Sequence, residues 1–367
     1  MEISTVYLHV ARKTESALYR IDQYEIEEIE TFKYPEGIVI YEGNSKLRKL
    51  TNYFGYNAFL KNTKKAIDQY DVDFLYQRIS PPNRKLLDVM DSVKIPKILE
   101  IPTYPYENEF KRSKTKLEYV TFWKRNSARL LNAFDYIVII SGNDDFKESE
   151  KFIRISNGIQ LDDVKVADRK KKDHFRLVSV ANIAFWHGYD RVIKGMYEYY
   201  KQNPTEKVYY DCVGDGPELD NLKQLAKSLG LSDYITFHGT KTGEELDKIF
   251  NESDVAIGIL GYHRTGLKSG SPLKGREYCA RGIPFVIGYD DQDFPESFPY
   301  ILKIPSDESL VDINEIVEWY EELTNSHPNY PTEMRKYAEE HLSWNAKMRP
   351  VIEKIKEIAD KNGISKS

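Results

Sequence analysis

From residue 175 onward, apolar and polar positions alternate in a regular rhythm. Short runs rich in apolar and β-branched residues at 175–181, 207–213, 234–238, 254–259 and 283–287 predict strands buried on both faces. Between them, apolar positions recur at helical spacing over 188–200, 217–229, 243–250 and 272–281. The punctuation agrees. Pro217 suits a helix start, Gly230 a helix end, and Gly282 with Pro284 the end of another. Strands alternating with helices of about ten residues predict βαβ units and a parallel sheet covered on both sides. In such a sheet, ligands lie beyond the carboxyl ends of the strands.

The first half shows a weaker version of the same pattern. Strands are expected at 5–9, 37–41, 74–77, 97–101, 136–140 and 152–155, and helices at 16–29, 47–55, 57–70, 83–93 and 116–133. Asn157-Gly158 marks a turn, and the polar segment 162–173, with Arg169-Lys170-Lys171-Lys172, reads as a solvated linker. Helices at 311–323, 332–341 and 346–362 follow the second sheet and could cover either domain. At 367 residues, two domains are the default.

Composition narrows the class. With 41% hydrophobic and 30% charged residues the chain is a soluble globular type, and no run approaches the roughly 20 apolar residues of a membrane span. The first residues lack the basic and apolar regions of a signal peptide. Cys212 and Cys279 lie in apolar elements and are expected as free buried thiols in a reducing, cytoplasmic setting. A net charge of −5 argues against a general nucleic-acid binder. The seven histidines are scattered, with no metal-site spacing, and there is no G-x-S-x-G elbow.

Candidate chemistry concentrates at 269–284. Ser271 suits an N-cap, Pro272 the first helical position, and Leu273, Lys274, Arg276 and Glu277 crowd the first turns. A helix N-terminus offers unpaired N–H groups and partial positive charge to an anion. Two cations there weaken the helix unless an anion compensates. A nucleotide-diphosphate seat follows as the reading.

Other junctions are less specific. In Val213-Gly214-Asp215-Gly216-Pro217-Glu218, the glycines permit either a nucleotide cradle or a bare tight turn. It is neither the G-x-G-x-x-G fingerprint nor a P-loop. His187, Gly188 and Arg191 stand at the next helix start, where they would hold a diphosphate, or Arg191 would pair with Asp190. The glycine-flanked loop 261–270, with His263, Arg264 and Lys268, is either a closing loop or a plain surface loop. In the first half, Glu100 and Tyr104 sit in a stiff loop after a strand. There Glu100 would act as base or hydroxyl acceptor, or be satisfied by neighbouring backbone. Residues 111–129 are basic, with Phe122 and Trp123 among them: an anionic membrane surface or a solvated helix face with Trp123 in the core.

Taken in order, Val-Gly-Asp-Gly-Pro-Glu (213–218), Phe-His-Gly (237–239), Ser-Asp-Val (253–255) and Glu-Tyr-Cys-Ala-Arg-Gly-Ile-Pro (277–284) resemble bacterial family-4 (group 1) nucleotide-sugar glycosyltransferases of the GT-B fold. Trp-His-Gly-Tyr-Asp-Arg (186–191), Pro-Leu-Lys-x-Arg-Glu-Tyr (272–278) and Glu-Ile-Pro-Thr-Tyr-Pro-Tyr (100–106) resemble its capsule and exopolysaccharide sub-group. The resemblance implies two Rossmann-like doubly wound α/β domains facing a cleft. They would comprise an acceptor domain at 1–160, a linker at 161–174, a donor domain at 175–342, and a helix at 343–367 crossing back to the first domain. It implies a retaining hexosyl transfer without metal or other cofactor, from a nucleotide-diphosphate sugar, UDP-linked by expectation, to a saccharide or lipid-linked saccharide. The setting would be the cytoplasm, at the inner face of the membrane. Glu277 would hold the donor ribose. Gly214, Asp215, Gly216, His238, Gly239, Ser271 and Leu273 would line the nucleotide. Glu100 and Tyr104 would face the acceptor. The chain departs from the pattern at Ser269, where the family has a sugar-binding Glu, and at Asn182 and His187, where it has a diphosphate-binding Arg and Lys. Lys274 and Arg276 would supply the missing charge, with Arg264 or Lys268 as further candidates. The departures at Ser269 and Asn182 also motivate a second reading, a non-catalytic partner subunit, and a third is a GT-B epimerase acting on the nucleotide sugar itself.

Overall fold

The computed structural model describes residues 5–12, 15–22, 25–33, 67, 74–79, 84–102, 106, 117–140, 149–162, 164–168 and 174–361. The chain divides into two units. One comprises 1–141, 145–156 and 348–367, the other 142–144 and 157–347.

The first unit holds a seven-stranded sheet in the order β3-β2-β1-β4-β5-β6-β7. Its strands are β1 (Thr5–Arg12), β2 (Glu15–Asp22), β3 (Glu25–Lys33), β4 (Phe74–Arg78), β5 (Lys97–Ile101), β6 (Tyr136–Ile140) and β7 (Phe152–Ile155). β1 and β4 to β7 run parallel, while β1, β2 and β3 form an antiparallel meander at one edge. Helices α1 (Arg84–Ser92) and α2 (Leu117–Asn132) cover this sheet, with Leu86, Leu87, Met90, Trp123 and Leu130 packed on Leu75, Leu99, Ile137 and Ile139.

The meander corrects one expectation, because residues 16–29 are strands rather than a helix. The two strands pair from Asp22↔Glu25 to Glu15↔Lys33. Ile26 and Ile29 stand at helical spacing, but Ala17, Tyr19 and Ile21 alternate with period two. Pairing with β1 stabilises that alternative, and no local window contains it. The expected elements at 37–41 and 47–55, and 57–70 apart from residue 67, lie outside the described residues.

The second unit follows its sequence pattern closely. Its strands are β8 (Phe175–Asn182), β9 (Val208–Asp215), β10 (Ile235–Gly239), β11 (Val255–Ile257), β12 (Phe285–Ile287) and β13 (Ile301–Lys303). All are parallel, in the order β10-β9-β8-β11-β12-β13. The helices are α3 (Tyr189–Lys201), α4 (Leu219–Ser228), α5 (Gly243–Asn251), α6 (Leu273–Ala280), α7 (Ile313–Ser326), α8 (Tyr330–Tyr337) and α9 (Trp344–Lys361), the last passing into the first unit. Alternation along each strand sends residues to opposite faces. Leu177, Tyr210, Cys212 and Ile257 pack with α3, α4 and α7. Val178, Val213, Ala256 and Phe285 pack with α5, α6 and α8. Only β13 had no sequence signal, since three residues carry no period.

Strand order reverses between β8 and β11. The chain leaves β8 toward α3 on one side and β11 toward α6 on the other. The N-termini of these two helices therefore flank the point where this architecture opens a crevice.

Candidate functional site at the carboxyl ends of β8 and β11

The two strand-to-helix junctions at this point are tied together by backbone. Leu260 N–H donates to the His187 carbonyl at 2.9 Å, and a Cβ on Gly188 would lie 2.9 Å from the Gly261 nitrogen. Gly188 sits at φ +70, which ends the 3-10 turn Phe185–His187 and begins α3.

Helix α6 is enclosed on most sides: Gly275, Arg276, Tyr278, Cys279 and Ala280 are buried. Its N-cap position is Pro272, and no side chain caps it. Ser271, expected as the cap, instead turns to Asn157, whose Nδ2 donates to the Ser271 carbonyl at 2.8 Å. The N–H groups of the first turn are thus open to an incoming acceptor.

Lys274 and Glu277, one turn apart, are the half-buried charged residues of this helix. The Lys274 ammonium makes no hydrogen bond or ion pair among the described residues. Burial lowers its pKa, and Glu277 only partly opposes that. Glu277 accepts from Arg281 Nε at 2.9 Å through Oε1, leaving Oε2 open. Arg281 is held in turn by Asp247 at 2.8 Å.

His187 completes this edge. Its Nδ1 accepts from the Ala184 N–H at 3.0 Å, a shorter contact than the 3.2 Å to the Ala184 carbonyl, so the ring proton belongs on Nε2. Burial, and then the nearby Lys274 charge, push its pKa down to about 4. At neutral pH it is an uncharged N–H donor and not a cation.

The structure removes three expected arginines from ligand duty. Arg276 is fully buried. It makes a bidentate pair with Asp291, one arm at 2.8 Å, and a further pair with Asp293. Arg191, also fully buried, donates to the carbonyls of Ser309, Leu260 and Pro305 at 2.6, 2.6 and 3.1 Å. Arg264 is shared between Asp190 and Glu308, with contacts of 2.7 to 3.1 Å, and pins the 261–270 loop. The reason is common to all three. A buried guanidinium needs its donors satisfied, and acids and carbonyls of the fold reach them first. For Arg276 the acid-rich run 289–293 is the sequence sign of this.

The glycine turn favours its structural reading. Cβ atoms on Gly214 and Gly216 would stand 1.8 Å from the Ala181 carbonyl and 2.3 Å from that of Ile183. Their backbones, at φ +123 and +148, are pressed onto the end of β8. Asp215 caps its own turn by accepting from Gly216 N–H at 2.7 Å, and Asn182 is exposed beside them. His238 Nε2 meets Asp211 at 2.6 Å, away from the α6 terminus, and Gly239 follows in a left-handed turn. Leu273 is exposed at the start of α6.

In the first unit, Glu100 accepts from Tyr76 Oη at 2.8 Å and lies 3.5 Å from Arg78 Nε, so side chains rather than backbone satisfy it. Tyr104 lies outside the described residues. Trp123 is buried, its ring 4.9 Å from that of Tyr106, while Lys124 and Arg125 are exposed and Arg129 pairs with Asp91. The rest of the basic segment, 111–116, is outside the described residues. Among the described residues, no helix is long and apolar enough to cross a membrane, and no group of three or more His, Cys, Asp or Glu residues could hold a metal ion.

Residues 162–299 match the family model for glycosyl transferases group 1. Among solved structures, the chain is similar to a glycosyltransferase from Rickettsia africae, with TM-score 0.61 and 14% identity over 87% of this chain and 84% of that one. It is likewise similar to sucrose-phosphate synthase from Thermosynechococcus elongatus, with TM-score 0.59 and 14% identity over 91% and 83%. A third likeness is to the pneumococcal O-GlcNAc transferase GtfA in complex with UDP and GlcNAc, with TM-score 0.53 and 14% identity over 94% and 70%. These likenesses give the fold, GT-B. No curated protein matches the sequence.

Proposed function

We propose, from the match of its second unit to the group 1 glycosyltransferases, that this chain transfers a sugar from a nucleotide-diphosphate donor, UDP-linked, to a saccharide acceptor. One observation carries the reading: a half-buried, unpaired Lys274 stands in the first turn of an uncapped helix at the topological switch point. Glu277 lies one turn further along, with a carboxylate oxygen to spare. Departure of the nucleoside diphosphate builds negative charge on the β-phosphate. The open N–H groups, the Lys274 ammonium and the neutral His187 Nε2–H are the fixed donors that would meet it. Glu277 Oε2 would accept from ribose hydroxyls. The leaving phosphate would take the acceptor's proton on the face it vacates, giving retention without metal or paired carboxylates. A lipid-linked acceptor in surface-polysaccharide synthesis, with the basic face around Lys124 and Arg125 toward an anionic membrane, extends the same proposal.

The test is calorimetric titration with UDP and turnover of a panel of UDP-sugars. Lys274→Ala should weaken UDP binding by about tenfold or more, the scale of one charge-assisted contact. Unchanged binding and turnover would overturn the assignment. A second reading, a partner subunit that binds nucleotide sugar without transferring it, is favoured by the loss of three arginines to internal pairs. UDP binding without donor hydrolysis or transfer under any acceptor would select it.

A further inference from the structure

A second cavity, of about 540 Å³, lies on the flank of the second unit, and nothing at the N-terminus of α6 lines it. Its walls are the loop Gly266–Lys268, the end of β12 at Gly288–Asp290, and Lys303 to Ser306 after β13. Two lysines, Lys268 and Lys303, line it. The Lys268 ammonium has no partner among the described residues, and Lys303 is paired only with Asp290, at a mostly exposed contact. Both stand on fixed backbone. Asp290 N–H donates to the Lys268 carbonyl at 2.9 Å, Gly270 N–H donates to the Asp290 carbonyl at 3.0 Å, and Ile304 N–H donates to the Ile287 carbonyl at 2.9 Å. Apolar residues complete the lining: Leu267, 44% exposed, with Ile304 and Pro305. His263 also lines the cavity; its Nε2 meets Glu308 at 2.7 Å, while its Nδ1 is buried without a partner.

We propose that this cavity binds a saccharide carrying an anionic group, a carboxylate or a phosphate, separately from the nucleotide. Lys268 and Lys303 hold the anion, and Leu267 and Pro305 pack on the ring. The volume is within the range of small-ligand sites and far larger than a free phosphate fills. Cations carried on hydrogen-bonded backbone suit an anion, since little backbone ordering entropy is lost on binding. Asp290 is the competitor: it occupies Lys303 until a ligand anion displaces it.

The experiment is titration of the full chain with glucuronate, glucose, glucose 1-phosphate and inorganic phosphate, followed by calorimetry or ligand-observed NMR. Glucuronate or glucose 1-phosphate should bind at least tenfold more tightly than glucose and than inorganic phosphate. Lys268→Ala and Lys303→Ala should each weaken that binding about fivefold to tenfold. Asp290→Asn, which keeps the backbone bonds and releases Lys303, should strengthen it severalfold. Equal binding of inorganic phosphate would make the cavity a simple anion site and overturn the proposal. So would lysine variants without effect, or weaker binding in Asp290→Asn. UDP affinity in Lys303→Ala and Asp290→Asn should be unchanged. If UDP fails to bind the parent protein, the donor reading falls and this one still stands on its own titrations.

Discussion

Burial first, and the nearby Lys274 charge second, decide what His187 can do. A histidine whose pKa falls to about 4 on folding is neutral in the native state and protonated in the unfolded chain across the interval up to its ordinary value near 6.5. The unfolded state binds the extra proton there, so stability rises with pH through that interval. The contribution is fully present above about pH 6.5 and is lost progressively as pH falls toward 4, for a total of about 3 kcal/mol. Denaturant midpoints measured between pH 7.5 and 4.5 should show the fall. His187→Gln should flatten the part of the curve that belongs to this residue, and an unchanged curve would count against the burial argument. The backbone at Gly214 gives a second residue-level test. A Cβ 1.8 Å from the Ala181 carbonyl cannot be absorbed by a flexible side chain, so Gly214→Ala should cost about 3 kcal/mol or more of stability. A chain that melts as the parent does would show that β8 and β9 can part at no cost.

Among the elements, α6 shows most clearly what a sequence reveals and conceals. Its existence, its end at Gly282 and the spacing of Lys274 and Glu277 were legible, because helical spacing and a glycine stop are local properties, whereas the expected cap Ser271 was drawn to Asn157. The fate of Arg276 was not. Two residues along the same helix from Lys274, it points into the fold, where Asp291 and Asp293 enclose it. Asp293 also holds Lys347, at 2.6 Å. Direction around a helix is legible only once the partner element is known, and these partners lie some fifteen residues away in a segment without periodicity. Removing one member of a buried pair strands the other. Asp291→Ala should therefore destabilise the second unit by about 3–5 kcal/mol, whereas the joint replacement of Arg276 and Asp291 by apolar residues of similar volume should recover much of that loss. Thermal melts of the single and double variants compare the two directly. The hairpin of β2 and β3 is the converse case. There the local signal for a helix was present and pairing with a neighbouring strand overrode it.

At the scale of the whole molecule, every strand of the second sheet but β13 was legible, and the central strands most clearly, because β9, β11 and β12 are buried on both faces and read as apolar runs. In the first sheet β1 and β4 to β7 were legible as short apolar runs, while β2 and β3 were not. The switch point followed from topology, which the sequence supplied only through its alternation of strand and helix. Of the candidate site, the sequence showed that Lys274 and Glu277 fall one helical turn apart, but not that Arg276, Arg191 and Arg264 are taken up by partners within the fold. One further consequence concerns the two thiols. Cys212 and Cys279 are both fully buried, on opposite faces of the second sheet. Burial pushes the Cys212 pKa up to about 11 and that of Cys279 higher still. Thiol reagents attack the thiolate, so the folded chain should be inert to iodoacetamide at pH 7.5, at well under about a tenth of the rate of a free cysteine. The protein thus carries two native reporters in one unit, one on each side of its sheet. The order in which they become alkylated as denaturant is raised, read by mass spectrometry, would tell whether that sheet loses its two helical layers together or one before the other.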